Sequence, residues 1–323
     1  MSRRPLALLL AAAAASGCDS DDPADRSART DRWQALTPAT LERTEVAAAR
    51  ISRFVYVVGG FERQTGATTR AVERYDLRGD SWKRVRSMPI GLNHATAVAY
   101  RGKLYVHGGY RGRRDLSSAT ARLYRYDPRR DRWRRLPDSP SPRAAHASAV
   151  IGRKLYVAGG ANASGSLRSL EIYDFRRRRW RRGPSFLGPA RNHTTGASSG
   201  GRFYVLAGRD NRNFRAVDRY NPRRRRWRRL PSMRTPRGGI AAARLPDGRI
   251  VVFGGEQLGA GGTTIKQVEA YSPRRNRWSR LPSMLTPRHG LGGVAFGRRV
   301  YAIEGGPQPG FHLSDTIEFL EVR

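Results

Sequence analysis

The chain has 323 residues, with 62 Lys or Arg against 26 Asp or Glu, a formal charge of +36. Nearly all of that charge is arginine, since lysine occurs only at positions 83, 103, 154 and 266; such a field favours anionic partners, although a GC-rich genome produces the same bias. The 35 Gly and 19 Pro suit an all-β chain full of turns, and the single cysteine, Cys18, leaves no thiol for chemistry elsewhere.

Residues 1–18 read as an export signal and are set aside from the fold. Arg3 and Arg4 form a basic start, and Leu6–Ala15 is an apolar run too short to span a bilayer as a stable helix. The run ends in Ala15-Ser16-Gly17-Cys18, which resembles a bacterial lipobox and implies a lipid on Cys18; the plainer alternative is a free cysteine beside a signal cleaved elsewhere. Two or three acyl chains at roughly 0.8 kcal/mol per methylene would hold the protein stably on a membrane. Residues 19–30 are polar, acidic at first and carry Pro23, so they are expected to form a disordered tether.

From residue 31 onward one grammar repeats. An apolar run ends in a glycine pair at Gly59-Gly60, Gly108-Gly109, Gly159-Gly160, Gly254-Gly255 and Gly305-Gly306, with Ala207-Gly208 as a stand-in. A Tyr-Asp follows (Tyr75-Asp76, Tyr126-Asp127, Tyr173-Asp174), and then a tryptophan. Trp33, Trp82, Trp133, Trp180, Trp227 and Trp278 are spaced by 49, 51, 47, 47 and 51 residues. Pro142-Arg143, Pro236-Arg237 and Pro287-Arg288 open new units. This pattern resembles the kelch family, whose units of about 50 residues are four-stranded propeller blades. The resemblance covers residues 31–323 and implies fold more than function, because sites are grafted on folds.

Within each unit the small apolar strand a (for example Ala95–Ala99) is innermost, b carries the glycine pair, c alternates with period 2, and d carries the tryptophan. The last unit stops at Arg323 without a tryptophan strand, while Trp33 precedes any glycine pair. A six-bladed ring therefore closes if residues 33–36 supply the outer strand of the last blade, which leaves no open edge.

Several motifs carry candidate chemistry. His94, His146, His193 and His289 recur near the start of strand a, but no carboxylate repeats with them, so hydrogen bonding is expected and neither a metal nor a cofactor. The copper radical oxidases that share the propeller need a cysteine joined to tyrosine, and Cys18 lies outside the repeats. Gly196–Gly200 matches G-x-S-x-G in a hairpin turn and not at a strand-to-helix elbow. Arginine runs beside the tryptophans read either as a solvated rim that discourages sheet pairing or as attraction to anionic lipid or polysaccharide; nucleic acid is disfavoured for an exported chain.

The b–c and d–a loops form the face where kelch propellers bind ligands. The residues expected to line it are Arg63, Asn93, Tyr110, Arg111, Asn162, Asn192, Arg209, Asp210, Arg237, Glu256 and Arg288. Glu304 interrupts the last b strand with a polar tip directed at the channel. The expected function is a lipid-anchored extracytoplasmic module at the cell envelope, binding a protein or an anionic polysaccharide through that face. The alternative is a carbohydrate-acting enzyme resembling the exported kelch-type sialic acid mutarotases, with Glu304 and Arg237 or Arg288 as its pair.

Overall fold

The computed structural model describes residues 32–62, 67–112, 118–259 and 261–323, together with Met1. Cys18, the tether and Arg63 lie outside them. Six four-stranded antiparallel sheets follow one another in the order a-b-c-d. Blade 1 holds Ala47–Ile51, Phe54–Val58, Val72–Asp76 and Ser81–Val85. Blade 2 holds Thr96–Tyr100, Lys103–His107, Leu123–Asp127 and Arg132–Leu136. Blade 3 holds Ala147–Ile151, Lys154–Ala158, Leu170–Asp174 and Arg179–Gly183. Blade 4 holds Thr195–Ser199, Arg202–Arg209, Asn213–Asn221 and Arg226–Arg229. Blade 5 holds Ala241–Arg244, Ile250–Phe253, Val268–Ser272 and Arg277–Leu281. Blade 6 holds Gly292–Phe296, Arg299–Ile303 and Ile317–Glu321, with Gln34–Ala35 as its outer strand.

The ring closes as the mismatched ends predict: Gln34 pairs with Phe319 and Ala35 with Glu318, antiparallel. Strand a of each blade packs on strand a of the next, and blade 6 packs back on blade 1. Outside that cycle the tryptophans make a second one. Each indole Nε1–H donates to a backbone carbonyl of the preceding blade's exit: Trp82 to Thr37, Trp133 to Arg86, Trp180 to Pro137, Trp227 to Pro184, Trp278 to Pro231 and Trp33 to Pro282, all at 2.7–2.9 Å. In five blades the tryptophan also sits across the sheet from the Tyr of strand c, with ring centroids 4.7–5.2 Å apart.

The glycine pair is a backbone requirement. Gly59 and Gly60 have φ of 63° and 92°, and a Cβ on Gly59 would lie 2.1 Å from the Leu92 carbonyl oxygen. The same two conformations recur at Ala207-Gly208 (47° and 105°) and, in blade 6, at Glu304-Gly305 (55° and 100°). The pair of the last blade is therefore Glu304-Gly305, not Gly305-Gly306. The backbone confirms the register, since Glu304 N–H donates to Thr316 O as Gly59 N–H donates to Ala71 O.

A third cycle surrounds the axis itself. Glu45, His94, Ala145, His193, Gly239 and Gly290 occupy one position of the repeat, and all six have positive φ, 46–67°. Backbone N–H groups at this level donate to the carbonyl of the blade before: His94 to Glu45, Ala145 to His94, Thr194 to Ala145, Gly239 to His193, Gly290 to Gly239 and Val46 to Gly290. Every side chain at this position is thus held at the same height of the channel by a closed belt of hydrogen bonds.

Candidate functional site at the channel mouth

Two buried constellations lie beneath the loop face, and they are of different kinds. The first is structural. The Arg that opens a unit is fully buried and reaches an acid on strand c of its own blade: Arg43 to Glu73, Arg143 to Glu171, Arg191 to Asp218, Arg237 to Glu269 and Arg288 to Glu318, at 2.6–2.9 Å. Most of these guanidinium groups also donate to the carbonyl of the first glycine-pair position, as Arg237 Nη1 does to Gly254 O at 3.0 Å and Arg288 Nη1 to Glu304 O at 2.8 Å. In some blades the acid also caps the d–a loop: Glu269 Oε2 accepts from the Arg234 amide and its Oε1 from the Thr235 amide as well as from Arg237. Arg237 and Arg288 are therefore withdrawn from the ligand face: both are fully buried, and their Nη1 and Nη2 groups are taken by backbone carbonyls and a strand-c acid.

Glu304 is corrected on the same ground. It does not line the channel; it is fully buried and bonds Arg43 of blade 1 at 2.7 Å, so Arg43 is shared between Glu73 and Glu304. Burial raises the Glu304 carboxyl to about 7, against the opposing pull of Arg43.

The second constellation sits at the axis, where strand a begins. The channel has a volume of about 620 Å³ and is walled by the small residues of all six a strands, with Glu45, His94 and His193 at one end. His94 Nε2 lies 3.1 Å from His193 Nε2 and 3.1 Å from Glu45 Oε2. Asn93 and Asn192 hold the other ring nitrogens: His94 Nδ1 is 2.6 Å from Asn93 Oδ1, and His193 Nδ1 is 2.5 Å from Asn192 Oδ1. Tyr110 packs edge-on against His94 with centroids 5.5 Å apart, and Phe61 bridges His94 to Phe311. Behind Glu45, His289 Nδ1 is 3.4 Å from Glu45 Oε1 and 3.6 Å from Glu256 Oε1, and Glu256 is ion-paired with Arg209.

The electrostatics follow from burial. Burial drives His94 down against the pull of Glu45, and drives His193 well down with Arg209 adding to it. Burial also works against charge on Glu45 and His289. There attraction wins: His94, then His289, hold Glu45 well below the ordinary carboxylate value, and Glu45 raises His289.

Of the residues expected on the face, Asn93, Tyr110, Asn192, Arg209 and Glu256 converge here, and Asp210 joins through Ser166, whose hydroxyl donates to it at 2.7 Å. Arg111 is exposed, and Asn162 bonds Pro142 O and the Ser164 amide on its own blade. The four histidines divide. His146 is one place out of register and pairs with His107 instead, Nε2 to Nδ1 at 3.0 Å, while His289 stands behind Glu45. Glu45 carried no sequence signal, being the one acid at the position where other units place His, Ala or Gly.

Comparisons with known proteins agree with this architecture. The kelch-repeats domain of KLHDC2, KLHL20 and DRC7 matches residues 45–241, and a kelch motif matches residues 241–285. The chain is 32% identical over 157 residues to the kelch-like protein terF of Aspergillus terreus, covering 45% of this chain and 34% of that one. It is 30% identical over 135 residues to the human kelch repeat and BTB domain-containing protein 12, covering 40% and 22%. It thus spans about a third or less of these relatives. The solved structure of YjhT superposes with a TM-score of 0.74 at 16% identity over 87% of this chain and 95% of the other, a likeness of fold. Six in-phase blades and a family match across more than half of its length lead to one conclusion: the chain belongs to the kelch-repeat family.

Proposed function

We propose that the chain is a lipid-anchored, extracytoplasmic binding module that holds a protein partner against the b–c/d–a face of its propeller. The observation that carries this reading is the placement of exposed apolar side chains. Among the described propeller residues, the large hydrophobic ones that stand out in solvent are Leu187, Leu258 and Leu285, 48–57% exposed, and all three ride on loops of that face. The arginine runs lie in c–d turns and outer strands, so the molecule offers an apolar-studded face and a cationic rim. Loops on a rigid ring are the usual place for recognition. The basic start, the short apolar run and Cys18 support export and anchoring.

The test substitutes Leu187, Leu258 and Leu285 together by Glu and cross-links parent and variant on the cell surface. The face variant is expected to lose its adducts, whereas charge reversal at Arg176 and Arg223 on the rim keeps them. The opposite pattern defeats the reading. Binding of an anionic glycan in an array, collapsing as salt rises, would transfer the function to the rim. Anchoring is tested separately: Cys18→Ala should move the protein from the membrane fraction to the soluble one and abolish palmitate labelling.

A carbohydrate-acting enzyme keeps one observation in its favour. Arg237, Arg288 and Glu304 are sealed in ion pairs, but Arg209 and Glu256 do converge beside the channel mouth. That reading requires anomer exchange of a sugar acid, observable by proton NMR, that disappears in Glu256→Gln.

A further inference from the structure

Two hydrogen-bond relays fix the protons at the channel mouth. The Ser166 hydroxyl donates to Asp210 Oδ1, and its oxygen accepts from Asn192 Nδ2, each at 2.7 Å. That turns Asn192 Oδ1 toward His193 Nδ1, which must carry the hydrogen. The second relay is independent of the first. The Gly112 carbonyl can only accept, so Thr68 donates to it and accepts from Asn93 Nδ2 at 2.6 Å, and Asn93 Oδ1 faces His94 Nδ1–H. Both imidazoles are thereby set in the same tautomer. Their Nε2 lone pairs meet at 3.1 Å, with the Glu45 carboxylate oxygen 3.1 Å from one of them.

With each Nδ1 turned to an asparagine oxygen, two Nε2 atoms and a carboxylate oxygen converge on one point, an arrangement that a cation among them satisfies. We propose that Glu45, His94 and His193 bind a divalent first-row transition-metal ion, with zinc as the reference ion, and leave a coordination position open to the channel. The donor set is two imidazole nitrogens and one carboxylate oxygen, the set that holds zinc in catalytic sites with a free position. Donors about 2.1 Å from a tetrahedral ion stand roughly 3.4 Å apart. Two of the pairs here lie at 3.1 Å, and all three ligand atoms fall within 4.8 Å of one another.

The surroundings are those a metal site needs. Each histidine is oriented through its far nitrogen by an asparagine, and Glu45 Oε1 is backed by His289 at 3.4 Å. The ligands come from blades 1, 2 and 4 at one level of the axial backbone belt, so the site is assembled only when the ring is closed. The inference does not rest on the binding-module reading: either can fail while the other stands.

The untagged full chain, stripped with EDTA, is titrated with Zn²⁺ against a chromophoric chelator, and with Co²⁺ while the visible bands are recorded. One zinc per chain is expected, with the cobalt bands of four- or five-coordination. Both should be lost in His94→Ala and in His193→Ala and kept in His146→Ala, whose ring bonds His107 and Thr96 and none of the proposed ligands. Asn192→Ala, which leaves every ligand in place, should weaken zinc about 10–100-fold. No stoichiometric zinc in the parent overturns the proposal whatever the variants do, and this outcome would assign a shared proton to the gap. Binding that survives in both ligand variants, or that is lost only in His146→Ala, overturns it as well.

Discussion

Blade 2 and the other five hold the same junction together with opposite chemistry. Five blades bury an arginine against a strand-c acid. In blade 2 the arginine position is Leu92 and the acid position is Tyr124, and both sit in one apolar cluster. Neither half has changed without the other. An arginine alone would leave a buried charge, and an acid alone would do the same, whereas an apolar pair of similar bulk satisfies the site by packing. The difference shows that the ion pair is one of two sufficient solutions to closing the d–a loop over strand c.

The largest test of that comparison removes one partner. Arg288→Met should cost about 3–5 kcal/mol in urea denaturation, because Glu318 stays buried without its charge partner. Adding Glu318→Tyr to Arg288→Leu transplants the blade 2 solution and should recover most of that loss; no recovery would mean that the two solutions are not interchangeable.

The shared guanidinium at the seam sharpens the contrast, since Arg43 serves two acids where other blades serve one. Glu304 is raised to about 7 in the folded chain from an ordinary 4.5, so the native state binds the proton more tightly. Its contribution is complete below pH 4.5 and lost as pH rises through 7, on the order of 3 kcal/mol in all. Glu304→Gln should flatten this part of the stability–pH curve, and an unchanged slope would assign it to other groups.

The smallest effect concerns the c–d turns. Asp80, Asp131 and Asn276 adopt positive φ and accept from the Tyr of strand c, but Arg178 and Arg225 stand in the same backbone conformation, and the Tyr220 hydroxyl finds no acceptor. Arg225→Asn should stabilise by about 1 kcal/mol, read as a rise in Tm, and Asn276→Arg should do the reverse.

Much of the fold was legible because its signals are local. Strand alternation, glycines demanded by backbone sign and in-phase tryptophans gave the six blades. The unmatched ends gave the pairing of Gln34 with Phe319. The roles of Arg237 and Arg288 were not legible from the arginines alone, because each partner lies about 30 residues away on another strand. The joint change to Leu92 and Tyr124 was the available clue. Glu304 misled because Gly305 and Gly306 both follow it, so the pair could be read one place late. Glu45 stayed hidden for a different reason: one acid at a position that elsewhere holds His, Ala or Gly has no period, and only the axial belt brings it to His94.

The pairing of Gln34 with Phe319 also orders events in time. The segment that seals the wheel emerges from the ribosome before any blade exists, yet its berth, Ile317–Glu321, is the last strand of the ring to be made. Until then the terminal sheet waits with a bare flank, and such long-range docking is slow. A nascent or truncated molecule lacking Ile317–Glu321 would thus expose two sticky borders together, and quality control could recognise an unfinished copy by that gap alone.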